Sequence, residues 1–265
     1  MPWISLPHQL NNRKFTKAIV FVHGLNGSAR SWMGGANRFV DRLSRMPAIY
    51  NHFGLFAFSY DTKIGAFGPA WKLLAAIPRG NEIAQKTKFN VDIKRISMEL
   101  KTSLQELLAG YMSIVLIGHG MGGLVIKRAL VDMDEAELRR VSFFISLSVP
   151  HSFAGPASVS ADLFEHSGLV APKPLADFTS ELAQRFSNIT HAPESFFQTG
   201  SRDVVVNEAS AIPAGVQADH RIDTDDTHDS VLEINDPDSH PAFNKVLALL
   251  HQMLDTEKQR DLRKG

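Results

Sequence analysis

A glycine-rich turn in the middle of the chain has the residue types and spacing that most directly suggest chemistry. It runs from Gly118 to Gly122 with the sequence GHGMG, follows the apolar stretch Ile114–Ile117 and precedes an apolar helical pattern. A turn between a strand and a helix presents backbone N–H groups and the positive end of the helix dipole. Two chemistries use this arrangement: phosphate binding, and oxyanion stabilisation beside a nucleophile.

Phosphate binding by a dinucleotide fold is the first alternative. Gly118, Gly120 and Gly123 satisfy the spacing G-x-G-x-x-G. A dinucleotide site also requires an acidic residue about 20 positions later, at the end of a second strand. The acidic residues between positions 132 and 135 come too early and lie at the end of a helical pattern. The turn also lies far from the start of the chain, so the sequence disfavours a dinucleotide site.

Presentation of a nucleophile is the second alternative, and the sequence favours it. A strand, the pattern G-x-S-x-G and a helix together form a nucleophile elbow, with the serine in a strained turn between small residues. Every part of the pattern is present except the serine, because position 120 holds glycine. Glycine adopts a positive φ without the strain that serine bears, so we expect this turn to fold normally.

Apolar segments of strand length alternate with helical patterns along the chain, which favours an α/β fold with a doubly wound, mostly parallel sheet. The strands lack polar alternation, as buried strands do. We predict strands in KAIVFVHG, GLFAFSY (54–60), SIVLIG, VSFFISLS, SFFQTG (195–200) and DHRIDT. We predict helices at Val91–Gly110, at Met121–Met133 and in DSHPAFNKVLALLHQML, where Ser239 is the expected N-cap.

Two segments interrupt this alternation, at 61–90 and at 150–193. Both contain several prolines, and irregular segments of this length in an α/β domain are usually lids or binding loops. We therefore expect one domain over residues 1–265 with helical or irregular lid insertions. Residues 255–265 form a charged tail, for which a solvated end and a linker in a fusion to further domains are both interpretations.

Composition excludes several classes of protein. The 265 residues carry 28 Lys and Arg against 28 Asp and Glu, so there is no general electrostatic case for nucleic-acid binding. No cysteine is present, which excludes disulfides and thiolate metal sites, and the histidines show no metal-binding spacing. No cofactor is predicted. No apolar run approaches the roughly 18 residues of a membrane span or forms a signal-peptide core, so we expect a cytoplasmic protein.

Five segments in chain order resemble parts of one enzyme superfamily, the α/β hydrolases. They are similar to its first strand and oxyanion loop (AIVFVHGLNGSARSW), next strand (GLFAFSYDT), elbow (LIGHGMGGLVIKRAL), post-strand segment (LSVPHSFAG) and acid loop (GSRDVVVNEASA). The chain most resembles lipase-like serine esterases related to GPI-inositol deacylases, over nearly its whole length. The resemblance implies an α/β-hydrolase fold and hydrolysis of carboxylic esters through an acyl-enzyme.

The resemblance also implies a catalytic triad in the order nucleophile, acid, histidine. Gly120 then occupies the nucleophile position. Asp203 lies in the acid loop, where the apolar residues DVVV would partly bury its carboxylate and let it orient an imidazole. His228 lies in the polar loop DTDDTHDSV, between the last strand and the last helix, where the general base belongs.

Other residues compete for these roles. Asp177 is the second candidate for the acid, although its setting is only helical. His220 falls within the last predicted strand, and His240 precedes a proline at a helix start, where a capping role suffices. Structural roles are expected for the histidines near the glycine turns, namely His23, His119 and His151.

The substrate is an acyl ester or a lipid in this interpretation. Two backbone N–H groups would hold the oxyanion, one from Met121 and one from Leu25 in the loop after the first strand. Phe67, Trp71 and Leu74 lie in an apolar stretch that forms either a lid over an acyl pocket or a helix buried against the core. Leu163, Phe164, Leu169, Val170 and Phe178 would complete the pocket.

Glycine at position 120 leaves two hypotheses open. Removal of the serine from such a triad typically costs about a million-fold in kcat. The first hypothesis is an inactivated Ser-to-Gly form of an active hydrolase, favoured because Asp203 and His228 are retained. The second is a natural, non-catalytic α/β-hydrolase domain that binds a ligand or a partner.

Overall fold

A seven-stranded sheet forms the centre of the molecule, in the order β1-β3-β2-β4-β5-β6-β7. The structure, a computed structural model, describes residues 3–5, 15–24, 27–60, 82–106, 109–153 and 173–262. Strands β2 to β7 pair in parallel, whereas β1 pairs antiparallel with β3. The strands are β1 (Trp3–Ser5), β2 (Lys17–Val22), β3 (Phe53–Phe58), β4 (Ser113–His119), β5 (Val141–Leu147), β6 (Glu194–Gly200) and β7 (Arg221–Thr224).

Helices connect and cover these strands. In the part of the chain that the structure describes, no helix combines the length and apolar character needed to cross a bilayer. The α-helices are α1 (Phe39–Ser44), α2 (Pro47–Tyr50), α3 (Glu82–Glu106), α4 (Met121–Val131), α5 (Glu135–Leu138), α6 (Lys173–Ser187), α7 (Glu208–Ala211) and α8 (Pro241–Leu262).

The sheet is covered on both faces, as its apolar strands require. Along β2, Ile19 and Phe21 belong to one buried cluster, together with Phe39 of α1 and Phe243 of α8. The intervening residues of β2 belong to a second cluster with Leu100 of α3. Since successive side chains of a strand point to opposite faces, these two clusters are the two sides of a doubly wound sheet. The predicted fold class is confirmed.

The main differences from the predicted elements concern two helices, one insertion and one strand. The helix predicted from Val91 begins at Glu82, and α6 (Lys173–Ser187) takes up part of the second predicted insertion. The last helix continues to Leu262, so most of the charged tail is helical. Strand β1 was not predicted. Residues 61–81 and 154–172 lie outside the described residues, and their role as lids stays a prediction.

The predicted N-cap of the last helix was wrong by one residue. The Nδ1 atom of His240 accepts the backbone N–H of Phe243 at 3.3 Å, which is the capping contact. The hydroxyl of Ser239 instead donates to Oδ2 of Asp236 at 2.7 Å. A histidine nitrogen thus satisfies an N–H group of the first turn, the role that a serine oxygen commonly has.

Helix α4 approaches the sheet so closely that positions 122 and 123 in its first turn accept only glycine. A Cβ on Gly122 would overlap the carbonyl oxygens of Val22 and His23 at the end of β2. A Cβ on Gly123 would overlap the side chain of Val149, and one on Gly118 would lie 2.6 Å from Cα of Gly123. The glycine pattern of this segment is therefore a packing requirement of the strand–helix unit.

We predict that Gly122→Ala lowers the free energy of unfolding by about 1–3 kcal/mol, because the new methyl group meets backbone carbonyls that cannot move aside cheaply. Gly110→Ala is the matched control, since a Cβ there would have no heavy atom within 4 Å. It should change stability by less than about 0.5 kcal/mol. Urea unfolding followed by circular dichroism measures both, and equal effects would contradict the packing argument.

Candidate active site

The turn between β4 and α4 holds Gly120 in an unusual backbone conformation. Its φ is 52° and its ψ is −128°, a region that L-residues other than glycine rarely adopt. The N–H of Gly120 donates to the carbonyl of Leu147 at 3.1 Å, and its own carbonyl accepts the N–H of Gly123 at 3.1 Å. The backbone is thus fixed on both sides, in a conformation that glycine adopts freely and that would strain the serine of a nucleophile elbow.

Asp203 and His228 meet at the carboxyl ends of the adjacent strands β6 and β7. Nδ1 of His228 lies 3.2 Å from Oδ2 of Asp203, whose side chain is fully buried. The other oxygen, Oδ1, accepts the N–H groups of Val205 and Val206, each at 2.8 Å. The carboxylate therefore has partners for both oxygens, as a buried charge requires.

The pKa of Asp203 lies below its ordinary value. Burial alone would raise this pKa, but the hydrogen bond and charge of His228 lower it, and the N–H of Val206 and the hydroxyl of Ser148 lower it further. Asp203 consequently stays ionised at neutral pH. An ionised carboxylate on Nδ1 fixes the proton on that nitrogen, so the lone pair of a neutral His228 ring stands on Nε2.

Nε2 of His228 faces Gly120. An ideal Cβ on Gly120 would lie 3.4 Å from Nε2 and 3.6 Å from Cα of Gly24, which are ordinary van der Waals separations. A hydroxyl group carried on such a Cβ can reach hydrogen-bond distance of Nε2. The structure thus brings together the three predicted positions 120, 203 and 228 in the spatial relation of a nucleophile position, a base and an orienting acid.

His119 holds the loop of His228 against the elbow. Its Nε2 lies 2.8 Å from the carbonyl oxygen of His228, and the two rings pack at 4.6 Å between centroids. A carbonyl can only accept, so Nε2 of His119 carries the proton. Burial, reinforced by the charge of His228, lowers the pKa of His119 to about 3. His119 is therefore a neutral support, in agreement with the structural role predicted for it.

The oxyanion donors are described in part. Met121 is the first residue of α4, so its N–H lacks an acceptor within the helix and stands beside Gly120. Leu25 lies outside the described residues, and its role stays a prediction. His23, just before it, is buried as predicted: Nδ1 donates to the carbonyl of Gly24 at 2.8 Å, and Nε2 accepts the N–H of Tyr60 at 3.2 Å.

The other candidates for the acid and the histidine make contacts away from Gly120. Nδ1 of His220 donates to the carbonyl of Ser195 at 2.9 Å, and His240 caps α8. His151 is buried with Nε2 at 2.7 Å from the hydroxyl of Ser146. Asp177 is part of α6. The predicted pocket residues outside the described part of the chain are Phe67, Trp71, Leu74, Leu163, Phe164, Leu169 and Val170.

One site residue was not predicted, Ser148 at the end of β5. It is buried with a φ of 49°, a strained conformation for a non-glycine residue. Its N–H donates to Oε1 of Gln198 at 2.8 Å, and Nε2 of Gln198 donates to the hydroxyl of Thr224 at 2.9 Å. The hydroxyl of Ser148 also stabilises the ionised form of Asp203. The only feature of the sequence that could have pointed to Ser148 is its position directly after a strand, at the carboxyl edge of the sheet.

The family model of the PGAP1-like alpha/beta domain matches residues 16–232. The chain belongs to this family. The match contains β2 to β7, the elbow, Asp203 and His228. The family and the fold together place the chain in the α/β-hydrolase superfamily. No curated protein sequence matches it significantly.

Solved structures share the fold at low sequence identity. The mature Bacillus licheniformis lipase BlEst2 is 16% identical with a TM-score of 0.62, over 94% of this chain and 97% of that chain. Its propeptide form is 18% identical with a TM-score of 0.59, over 92% of this chain and 53% of that chain. The Pyrococcus furiosus esterase Pf2001 is 16% identical with a TM-score of 0.52, over 90% of this chain and 81% of that chain. These likenesses confirm the α/β-hydrolase fold.

We predict that stability falls on mild acidification because buried histidines stay neutral in the folded chain. Burial lowers the pKa of His119 from 6.5 to about 3 and that of His151 well below 6.5. The unfolded chain then binds protons first, so the stability present above pH 6.5 is lost as the pH falls from there towards 3. The loss is roughly 1 kcal/mol per pH unit for each histidine.

Urea unfolding between pH 7.5 and 5 measures this slope. His119→Asn removes one titrating group and should reduce the slope, whereas His251→Gln, at an exposed position on α8, is the matched control. A slope that His119→Asn leaves unchanged would contradict the assignment.

Proposed function

We propose that this chain is a serine ester hydrolase in which glycine replaces the attacking serine. The observation that carries the proposal is the position of Gly120: a Cβ there would lie 3.4 Å from Nε2 of His228, whose Nδ1 lies 3.2 Å from Asp203. Glycine is required by packing at the neighbouring positions of the turn, but no neighbouring atom requires it at 120.

The roles follow from this geometry. In a form with serine at position 120, Nε2 of His228 would take the hydroxyl proton while the oxygen attacks the ester carbonyl. Asp203 would hold the ring and stabilise the imidazolium that forms. The N–H of Met121, at the N-terminus of α4, would donate to the oxyanion, together with the predicted second donor Leu25. Water would then hydrolyse the acyl-enzyme with His228 again acting as the base.

An acyl ester or a lipid is the proposed substrate class. The similar solved structures are a lipase and an esterase, which supports ester chemistry. The elbow also adjoins a buried apolar cluster in which Met121 packs with Val149, Phe153 and Phe178. Apolar side chains next to the elbow favour an acyl chain over a polar group as the neighbour of the reacting carbonyl. A lid formed by Phe67, Trp71 and Leu74 remains part of the proposal.

With glycine at position 120, the chain would bind its ester but could not form an acyl-enzyme. The retained contact between Asp203 and His228 favours an inactivated form of an active hydrolase, because a domain freed from catalysis has no need of a buried carboxylate on an imidazole. The glycine itself is the observation that supports the second candidate, a non-catalytic domain that binds a ligand or a partner.

We predict that Gly120→Ser raises kcat for p-nitrophenyl butyrate by up to about a million-fold, because it restores the attacking oxygen to an otherwise complete triad. A fluorophosphonate probe should label position 120 of this variant. Gly120→Ala is the matched control, since it bears the same backbone strain and the same Cβ but no hydroxyl. No gain for Gly120→Ser in a folded protein would overturn the enzyme proposal and favour the binding domain.

We further predict that Asp203→Asn in the Gly120→Ser background lowers kcat by about 10⁴-fold, because an amide cannot fix the proton on Nδ1 of His228. Asp177→Asn, the competing acid, should leave kcat within about twofold of the parent variant, since the carboxylate on Nδ1 of His228 is that of Asp203. The same p-nitrophenyl assay compares the two, and the reverse ranking would reject Asp203 as the acid.

A further inference from the structure

The carboxyl edge of the sheet holds a base, His228, beside a position, Gly120, that carries no side chain to attack a substrate. His228 is fixed on both sides, by Asp203 on Nδ1 and by His119 on its backbone carbonyl. Its side chain is 21% exposed, so solvent molecules reach the ring. Because Asp203 holds the Nδ1 proton, the basic lone pair on Nε2 points towards the space above Gly120.

The residue at position 120 controls how closely a small molecule approaches this lone pair. Glycine presents only hydrogen atoms on its Cα. A methyl group would stand 3.4 Å from Nε2 and 3.7 Å from Cε1 of His228, in the path of any molecule that hydrogen-bonds to Nε2 from this side. The site therefore suits a small hydroxylic molecule that hydrogen-bonds to Nε2 in the place that a Cβ would fill, while the N–H of Met121 stays available for the oxyanion.

We propose that the Gly120 protein is itself an acyl-transfer catalyst in which a small external alcohol or water takes the place of the serine. The proposal rests on the function proposed above, because it uses the same base and the same oxyanion donor. The substrate class is activated esters, and methanol is the diagnostic acceptor. No covalent acyl-enzyme forms.

The proposed acyl transfer needs only two reactants, methanol and the ester. Methanol donates its hydroxyl hydrogen bond to Nε2 of His228, and its oxygen attacks the ester carbonyl carbon as the proton passes to Nε2. The carbonyl oxygen becomes an oxyanion beside the N–H of Met121. The oxyanion then re-forms the carbonyl, the bond to the leaving oxygen breaks, and the imidazolium returns its proton to that oxygen. The products are a methyl ester and the alcohol or phenol of the original ester.

The test uses the Gly120 protein with p-nitrophenyl butyrate and increasing methanol. We expect nitrophenol release without a burst, and methyl butyrate, measured by gas chromatography, in proportion to the methanol present. His228→Gln should lower this product by about 10²-fold or more, the usual contribution of a general base. Gly120→Ala should lower it by roughly 10²-fold, because displacement of a reactant by about 1 Å has an effect of that size.

A comparison of two alcohols on the unchanged Gly120 protein keeps the proposal testable even if a variant fails to fold. tert-Butanol at the same concentration as methanol carries three methyl groups beside its hydroxyl and should give no ester product above the His228→Gln background. Equal methyl ester from the Gly120, Gly120→Ala and His228→Gln proteins would overturn the proposal, as would equal use of methanol and tert-butanol.

The two proposals fail separately. If Gly120→Ser hydrolyses the ester while the Gly120 protein forms no methyl butyrate above background, the external nucleophile is rejected and the serine hydrolase stands. If Gly120→Ser shows no gain, the hydrolase proposal fails. If that variant fails but methyl ester still forms and still depends on His228, the result would support His228 as a base and the access to it beside Gly120, and nothing more of the hydrolase proposal.

Discussion

The close approach of α4 to the sheet is the constraint on which the candidate site depends. Gly122 lets the first turn of α4 lie against the carbonyls at the end of β2, and Gly123 lets it lie against Val149. With the helix start fixed there, the chain has only Gly120 in which to turn from β4 into α4, and its φ becomes positive. The N-terminus of α4 and the reacting position consequently face the same space, where His228 also lies.

Around that turn the site is organised by one buried charge. Asp203 is fully buried, and its ionised form is kept by two backbone N–H groups and by the imidazole of His228. His119 stays neutral because it is buried, so it supports the carbonyl of His228 without adding a competing charge. No side chain at position 120 takes part in these contacts. The identity of that residue therefore changes the chemistry of the site and leaves its scaffold in place.

Much of the architecture could be predicted, because parallel strands that are covered on both faces appear in the sequence as continuous apolar runs. The strand that ends at His119 and the helix from Met121 lie within a residue or two of their predicted bounds. Strand β1 has three residues, too few to show a period. The early start of α3 at Glu82 escaped prediction because the polar stretch EIAQKTKFN has no recurring apolar stripe. Ser148 escaped because backbone strain is not visible in a residue pattern.

By itself, the sequence indicated which turn resembles an elbow and offered Asp203 and His228 as the preferred acid and histidine, because local spacing and chain order favour those candidates. Only the tertiary structure decided that Asp203 and His228, separated by 25 residues, are in contact and that Nε2 of His228 faces Gly120. It also decided that packing leaves no room for a Cβ at Gly118, Gly122 and Gly123, whereas at Gly120 there is room and only the backbone conformation favours glycine, which the letters of the motif cannot distinguish. The reason is physical: whether a side chain fits depends on atoms of β2 and of Val149, which approach the turn only when the sheet is assembled.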